Sequence, residues 1–199
     1  MAVICVSNQK GGTGKTSVTL NLIHHLNPKQ IIDLDVHGGL SKLNQLRGQP
    51  LEIKVTKKKS ELLDWLDTKD LTIVDCGGFD SELIRYALSQ SDYILTPSTD
   101  DPTDQFALVD FNNVIKEVSN MVGEKLCAYV LHNKVHHSRN DFSDMDNHID
   151  QLDHLKLCPV RINASASIPS AAFSGESVKS GTVAAQFSFL SKHIFEKVY

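Results

Sequence analysis

Short apolar runs rich in β-branched residues alternate along the chain with segments whose apolar residues recur every three or four positions. The runs predict strands at residues 3–7, 30–34, 71–74, 93–96 and 126–131. Each run is almost continuously apolar, which is typical of parallel strands that helices cover on both faces. The pattern therefore predicts an α/β fold with a mostly parallel central sheet flanked by helices.

Helical spacing predicts helices between these strands. One is expected at residues 15–26, and another begins near Asp104, just after Pro102, whose missing N–H does no harm in a first helical turn. Further helices are predicted at residues 81–89, 141–154 and 183–197. Residues 46–59 show no readable pattern. No repeat or linker interrupts the chain, so residues 1–199 are expected to form a single domain.

Composition limits the classes of function that need consideration. The chain is 41% hydrophobic and 22% charged, as in globular proteins, and its formal net charge is −4. This charge argues against a broad basic surface, so any nucleic-acid binding must come from a local patch. We expect no signal peptide, because no basic flank or cleavage site surrounds the first apolar run, and no run approaches membrane-spanning length.

The four cysteines, Cys5, Cys76, Cys127 and Cys158, lie in or beside apolar runs without CxxC spacing. Buried, reduced thiols of a cytosolic protein explain this distribution, and a metal or iron–sulfur site is the alternative.

A glycine-rich stretch, KGGTGKT, stands between the first predicted strand and the first predicted helix. Its glycines let backbone N–H groups converge on a phosphate, and the positive end of the helix faces the same point. Lys15 would reach the phosphates and the Thr16 hydroxyl would hold Mg²⁺. Gln9 stands where the usual pattern has its first glycine, with an extra lysine, Lys10, beside it. The predicted nucleotide-binding residues here are Gly11, Gly12, Thr13, Gly14, Lys15, Thr16 and Ser17.

This stretch resembles the deviant phosphate loop KGGxxK[ST] of the ParA/MinD ATPases. The resemblance implies a P-loop NTPase three-layer sandwich that binds ATP and Mg²⁺. It also implies a homodimer that sandwiches ATP, in which Lys15 serves its own nucleotide and Lys10 serves the nucleotide of its partner. Both lysines are then catalytic, because they place positive charge where the γ-phosphoryl group gains negative charge. The alternative for Lys10 is a solvated loop lysine.

Two acidic segments follow in the order that this family shows. In IIDLDVHGGLS, residues 31–41, Asp35 matches the family aspartate that positions or activates the attacking water, and Asp33 would support the fold or the magnesium shell. A helix-capping role is the alternative for Asp35. Val36 and His37 replace the Pro-Gln of the family. In LTIVDCGG, residues 71–78, Asp75 ends a Walker B strand and would hold Mg²⁺ together with Thr16.

Later segments resemble the family less sharply. Residues 95–104 match a proline-containing loop that lies near adenine in relatives, and Asn133 matches an adenine-contacting asparagine. Residues 168–178 match a late segment around a small-residue helix. The terminal helix repeats Leu190, Ile194 and Val198 at helical spacing; it is expected to pack on the sheet, with a membrane-targeting helix as the alternative.

Two further groups of side chains have alternative interpretations. A metal site is the alternative interpretation of the His-rich stretch at residues 132–150, although its spacing matches no known site. The candidate ligands are His136, His137, Asp141, Asp144 and His148. A basic surface in the C-terminal half would contact DNA in a small partition ATPase; its candidates are Lys134, Arg139, Lys156, Arg161, Lys179 and Lys192.

Together these features predict a ParA-type ATPase for plasmid or chromosome partition. ATP would drive dimerisation and nonspecific DNA binding, and a centromere-binding partner protein would stimulate hydrolysis. We expect a cytoplasmic, nucleoid-associated protein without stable membrane binding. The alternatives are a MinD-like or cargo-positioning ATPase acting on a membrane or a protein assembly, and a metabolic P-loop enzyme that activates a small carboxylate.

Overall fold

The computed structural model describes residues 2–199, which form seven strands and eight helices. The strands are β1 (Ala2–Val6), β2 (Gln30–Asp33), β3 (Lys54–Val55), β4 (Leu71–Asp75), β5 (Tyr93–Ser98), β6 (Ala128–Val135) and β7 (Leu155–Asn163). The helices are α1 (Lys15–Leu26), α2 (Gly39–Asn44), α3 (Lys59–Leu66), α4 (Glu82–Ser89), α5 (Pro102–Val122), α6 (Ser143–Asp150), α7 (Ser167–Ala172) and α8 (Gly181–Val198).

All strands lie in one parallel sheet with the order β3-β2-β4-β1-β5-β6-β7. Helices α3, α4, α5 and α6 contribute to the hydrophobic core on one face, and α1, α2, α7 and α8 pack against the other face. This is the predicted three-layer sandwich with a parallel sheet. The carboxyl ends of all strands meet at one edge, where ligands of open α/β sheets bind.

Strand β1 shows why the sheet needs helices on both sides. Successive strand side chains point to opposite faces, so Val3 and Cys5 join one core while Ile4 and Val6 join the other. All four are buried. Burial of each Val or Ile side chain stabilises the fold by roughly 1.5–3 kcal/mol, so exposure of either face of β1 to water would destabilise it.

The terminal helix α8 packs on the sheet, as its spacing predicts. Phe187, Leu190 and Ile194 are fully buried, while Phe189 and Phe195 on other positions of the helix are largely exposed. No helix within residues 2–199 is long and apolar enough to cross a membrane.

The observed elements differ from the predicted ones at several places, and helices α2 and α3 were not predicted. Strand β6 continues through Val135, four residues beyond the apolar run, because His132 and Val135 still pair with residues of β7. The helix predicted at residues 141–154 ends at Asp150, and the His154 N–H bonds to Asn112 Oδ1 of α5 at 2.9 Å instead. Strands β3 and β7 were not predicted.

The two unpredicted strands are the borders of the sheet. Strand β3 has two residues and pairs only with β2. Strand β7 contains Pro159, its register against β6 shifts twice, and only Leu155, Cys158 and Ile162 of its residues are buried. Proline is tolerated in border strands because one side of the strand forms no ladder. Both strands therefore lack the continuous apolar run that identifies central strands.

Candidate nucleotide site

A cleft of about 690 Å³ opens at the carboxyl edge of the sheet, beside the ends of β1, β2 and β4. Its walls come from the loops that follow these strands. The lining residues are Gln9, Gly11, Gly12, Gly14, Lys15, Thr16, Ser17, Asp35, His37, Gly78, Phe79 and Lys134. Most of the predicted phosphate-loop residues therefore share one cavity, and Asp35 faces them.

The glycine-rich loop joins β1 to α1 in the way the sequence predicts. Gly14 is the N-cap of α1 with φ 96° and ψ 20°, and Gly12 has φ 80°, a region that side chains with a Cβ rarely adopt. Gly11, Gly12 and Gly14 therefore line the cleft without side chains just ahead of α1. The N-terminal end of this helix carries partial positive charge, which favours a phosphate.

Lys15 is the buried lysine of the loop. Its side chain is 7% exposed, and Nζ donates a hydrogen bond to the Lys10 carbonyl oxygen at 2.9 Å. Burial lowers the pKa of Lys15, and the nearby carboxylates of Asp75 and Asp35 oppose that shift. The ammonium group therefore lies inside the loop, next to the space where phosphate oxygens would replace lost hydration.

Lys10 lies outside the cleft and turns away from it. Its ammonium contacts Asp104 Oδ1 and Thr103 Oγ1 at the start of α5, and Asp101 Oδ1 is 3.9 Å away. Asp104 is only 2% exposed, and its second oxygen accepts a hydrogen bond from the Thr99 N–H at 2.6 Å. The second lysine of the loop is therefore held by the chain's own α5 and not by the cavity that Lys15 lines.

Asp75 is fully buried at the end of β4 and is not one of the residues that line the cleft. Its Oδ1 is 2.9 Å from the Thr19 hydroxyl, while its Oδ2 has no hydrogen-bond partner. Burial raises the pKa of Asp75 to about 7, against the hydrogen bond from Thr19. A buried carboxylate oxygen without a partner fits Mg²⁺, which prefers hard oxygen ligands and takes few of them from protein. Thr16, on the lining of the same cleft, offers a hydroxyl.

The two aspartates after β2 have different surroundings. Asp33 is fully buried, and its carboxylate accepts hydrogen bonds from the Asp35 N–H at 3.0 Å and from the Ser41 N–H and hydroxyl at 2.9 and 2.6 Å. It therefore holds the loop together. Asp35 faces the cleft, and its Oδ1 accepts the His37 N–H at 2.9 Å. The N-cap of α2 is Gly38, so Asp35 does not cap that helix.

Gly77 allows the loop after β4 to pass close to Asp35. A Cβ atom at Gly77 would lie 3.1 Å from Asp35 Cα and 3.2 Å from Oδ1. A Cβ atom at Gly78 would lie 3.7 Å from Lys15 Nζ. The two glycines bring this backbone next to the predicted water-positioning and phosphate-binding side chains.

Asn133 lies behind the phosphate loop and does not line either cleft that borders the loop. It is 3% exposed, and its Nδ2 donates a hydrogen bond to the Thr13 carbonyl oxygen at 2.8 Å. A Cβ atom at Gly14 would approach Asn133 Nδ2 more closely than nonbonded atoms allow. In this structure Asn133 braces the loop, and its predicted contact with adenine remains a prediction.

A second cleft of about 570 Å³ shares Ser17 and Lys134 with the first. Its other residues come from the segment after β7: Ala164, Ser165, Ala166, Ile168 and Pro169. Small and apolar side chains predominate in it. Ser17 and Lys134 therefore mark the place where a phosphate-binding cavity meets a more apolar one.

Sequence reasoning missed several residues of the site. Thr19 could have been found, because it is one helical turn after Lys15 and so lies on the same face of α1. Lys134 was assigned to a DNA surface, but its Nζ donates to the Gly12 carbonyl oxygen at 2.7 Å. Phe79 lines the cleft although it is 66% exposed, and no sequence signal indicated this.

The other predicted clusters do not form sites of the same kind. Within residues 2–199, no three His, Cys, Asp or Glu side chains come together as a metal site, so the His-rich stretch does not form the metal site considered for it. Cys5, Cys76 and Cys158 are buried and Cys127 partly so, all four with free thiols.

The candidate DNA-binding residues other than Lys134 do not share one environment. Lys156 is exposed on β7. The others pair with acidic side chains: Arg139 with Asp100 at 2.6 Å, Arg161 with Asp146 at 3.3 Å, Lys179 with Glu176 at 3.3 Å and Lys192 with Glu196 at 3.8 Å.

Comparison with known proteins supports a nucleotide-binding interpretation of this edge. Residues 4–178 match the family model of the CobQ/CobB/MinD/ParA nucleotide binding domain. No curated protein sequence matches the chain well enough to indicate a relative.

Solved structures resemble the chain over nearly its whole length. A plasmid partition protein from Borrelia burgdorferi B31 bound to AMPPNP has a TM-score of 0.71 at 12% identity, covering 98% of this chain and 99% of that one. An ATP complex of Cyanothece McdA has a TM-score of 0.69 at 11% identity, covering 100% of this chain and 96% of that one. The septum site-determining protein MinD of Pyrococcus horikoshii OT3 with Mg-ADP has a TM-score of 0.67 at 16% identity, covering 97% of this chain and 95% of that one. At these identities the structures establish a shared fold. Because the family match spans residues 4–178 and includes the glycine-rich loop and both acidic segments, the chain belongs to the CobQ/CobB/MinD/ParA family of nucleotide-binding domains.

Proposed function

We propose that this protein is a ParA-type ATPase that partitions plasmid or chromosomal DNA through an ATP-dependent dimer. The observation that carries the proposal is the division of the two loop lysines. Lys15 lines the phosphate cleft, whereas Lys10 points outside it toward α5. A lysine that does not line its own cleft can serve the nucleotide of a second copy once it leaves Asp104.

The cleft supports ATP hydrolysis with named roles. The loop amides and Lys15 hold the β- and γ-phosphates, and Asp35 orients the attacking water from the opposite wall. Thr16 and Asp75 are the residues that would hold Mg²⁺, which supplies positive charge against the phosphates when bound. Lys10 leaves Asp104 and completes the site of the partner, where it stabilises the charge that develops on the γ-phosphoryl group.

The second cleft is the proposed place for the base. Its small and apolar residues after β7 suit a flat aromatic ring better than a charged group. Ser17 and Lys134 connect it to the phosphate cleft, so one extended nucleotide can occupy both. Adenine is then bound next to α7, and Asn133 acts from behind the loop.

DNA binding and partner-stimulated hydrolysis complete the proposal. Exposed Lys156 and the partly exposed Arg161 are weak phosphate ligands singly, and dimerisation would double them. The fold shared with a plasmid partition protein over nearly the full length of both chains supports this role. A centromere-binding partner protein would accelerate hydrolysis and so release the dimer from nucleoid DNA.

Co-sedimentation with nonspecific DNA tests the switch directly. Binding is measured with ATP, with ADP and without nucleotide, at two salt concentrations. We expect salt-sensitive binding with ATP only, because a ligand shifts an equilibrium only through differential affinity. Equal binding in all three states would contradict the proposal. Light scattering supplies the dimer measurement: Lys10→Ala should bind ATP but stay monomeric, and Lys15→Ala should bind ATP poorly.

One observation favours a second candidate, a MinD-like ATPase acting on a membrane or a protein assembly. Helix α8 exposes Phe189, Phe195 and Tyr199 at 65%, 53% and 64%. Such aromatic side chains on a terminal helix suit an apolar or interfacial partner. ATP-dependent co-sedimentation with liposomes in place of DNA would support this candidate and exclude the first.

A further inference from the structure

Lys134 has an unusual backbone conformation. Within residues 2–199, the residues other than glycine with positive φ are Asn27 at 46° and Lys134 at 56°. Asn27 is the C-cap of α1, where asparagine often adopts this conformation. Lys134 lies inside strand β6, between His132 and Val135, where the register against β7 shifts. A side chain with a Cβ is strained there, so contacts of Lys134 must hold the conformation.

The contacts of Lys134 are with the phosphate loop. Its Nζ donates to the Gly12 carbonyl oxygen at 2.7 Å, and the preceding residue, Asn133, donates to the Thr13 carbonyl oxygen at 2.8 Å. Two successive residues of β6 therefore bind two successive carbonyl groups of the loop. The two hydrogen bonds fix the peptide groups that join Gly12 to Thr13 and Thr13 to Gly14, so the N–H groups of Thr13 and Gly14 are fixed with them.

The aliphatic part of Lys134 lies where the two clefts join. Lys134 lines both clefts, and its Cε lies 3.7 Å from the position that a Cβ atom would take on Gly14. The left-handed backbone directs the side chain back across the loop. A lysine stem is apolar while its ammonium group is charged, so one side chain can contact an aromatic ring and a carbonyl oxygen together.

We propose that Lys134 is a nucleotide-binding residue with two separable parts. Its ammonium group fixes the Gly12 carbonyl and so preorganises the phosphate loop, and its methylene stem forms the surface on which the nucleotide base rests. The inference depends on the proposed ATP binding and adds a residue that joins the phosphate and base sites. It replaces the DNA-contact role predicted for Lys134.

Isothermal titration with two ligands and two variants separates the parts. The ligands are Mg·ATP and Mg·tripolyphosphate, which has the phosphates without a base. Lys134→Met keeps a stem of similar length without the ammonium group, and Lys134→Ala removes both. Lys116→Ala, which removes an exposed lysine on α5, is the matched control. Circular dichroism confirms that each variant is folded.

The expected pattern differs between the ligands. Lys134→Met should weaken both ligands by about threefold to tenfold, the effect of one hydrogen bond. Lys134→Ala should lower the affinity for Mg·tripolyphosphate by the same factor. It should lower the affinity for Mg·ATP by about tenfold more, because it also removes the apolar contact with the base. Lys116→Ala should match the wild type with both ligands.

Two results would overturn the inference. If the wild type binds both ligands and neither Lys134 variant weakens them, Lys134 has no part in nucleotide binding. If Met and Ala variants lose equal affinity for Mg·ATP, the stem does not contact the base. A wild type that binds neither ligand would instead refute the proposed ATPase function, and this inference with it.

Discussion

Gly14 is the position where one added methyl group should disturb the site most. Its φ of 96° lies in the region that favours glycine, and a Cβ atom there would collide with the side-chain amide of Asn133. Gly12 has a similar φ of 80° but nothing within 4 Å of a Cβ position, and Gly11 has neither a positive φ nor a near neighbour. The three glycines therefore separate backbone strain from steric conflict.

The expected losses of free energy of unfolding follow from these geometries. Gly12→Ala should cost about 1–2 kcal/mol, the penalty for a left-handed residue with a Cβ. Gly14→Ala adds the displacement of the buried Asn133 amide from the Thr13 carbonyl oxygen, about 1–3 kcal/mol, for a total of about 2–5 kcal/mol. Gly11→Ala should be neutral or stabilising by up to about 1 kcal/mol, because it restricts only the unfolded chain.

Urea denaturation without nucleotide measures all three variants and keeps ligand effects out. The double variant Gly14→Ala/Asn133→Ala tests the mechanism, because removal of the amide removes the collision. Its loss should be smaller than the sum of the two single losses by about 0.5–3 kcal/mol. The reasoning is refuted if Gly14→Ala costs no more than Gly12→Ala, or if the two single losses add.

Three further predictions concern the charged groups around the cleft. Lys10→Ala should lower the free energy of unfolding by about 1–3 kcal/mol, because it leaves buried Asp104 without its cation. In urea denaturation, the double variant Lys10→Ala/Asp104→Asn should recover part of this loss. If the losses of the two single variants add fully, the two side chains do not interact. Burial lowers the pKa of His132 from 6.5 although Asp146 opposes the shift, so the neutral imidazole stabilises the fold above pH 6.5 and that stability is lost as the pH falls toward the lowered value. The free energy of unfolding, measured from about pH 7.5 to about pH 5.5, should therefore fall more steeply in the wild type than in His132→Gln. Parallel curves would exclude the effect. Asp35→Ala should bind ATP normally but hydrolyse it about 100-fold more slowly in a phosphate-release assay, and an unchanged rate would remove its role with water.

The central part of the fold could be predicted because its signals are local. Strands β1, β2, β4 and β5 are continuous apolar runs, and the glycine-rich loop has its own spacing pattern. Strand β7 was missed because a border strand with Pro159 shows no such run. The same limit applies to the site. Lys15 and Asp75 are found from motifs, whereas the brace from Lys134 to Gly12 joins residues 122 positions apart.

Lys10 shows how a correct motif can still leave the conformation open. Its place in KGGTGKT indicates a special lysine, but its partner in this structure, Asp104, is far along the chain on α5. Only the fold brings the start of α5 next to the loop after β1. The sequence thus identifies the residue, and the tertiary structure identifies what holds it.

The two borders of the sheet restrict how copies of the chain can associate into larger assemblies. A border of two residues on one side, and an irregular one with a proline on the other, offers no long row of free backbone groups to an incoming strand. Fibres that grow by continuing the sheet from molecule to molecule are therefore disfavoured. Any polymer of the chain has to be built from contacts between side chains on helices and loops.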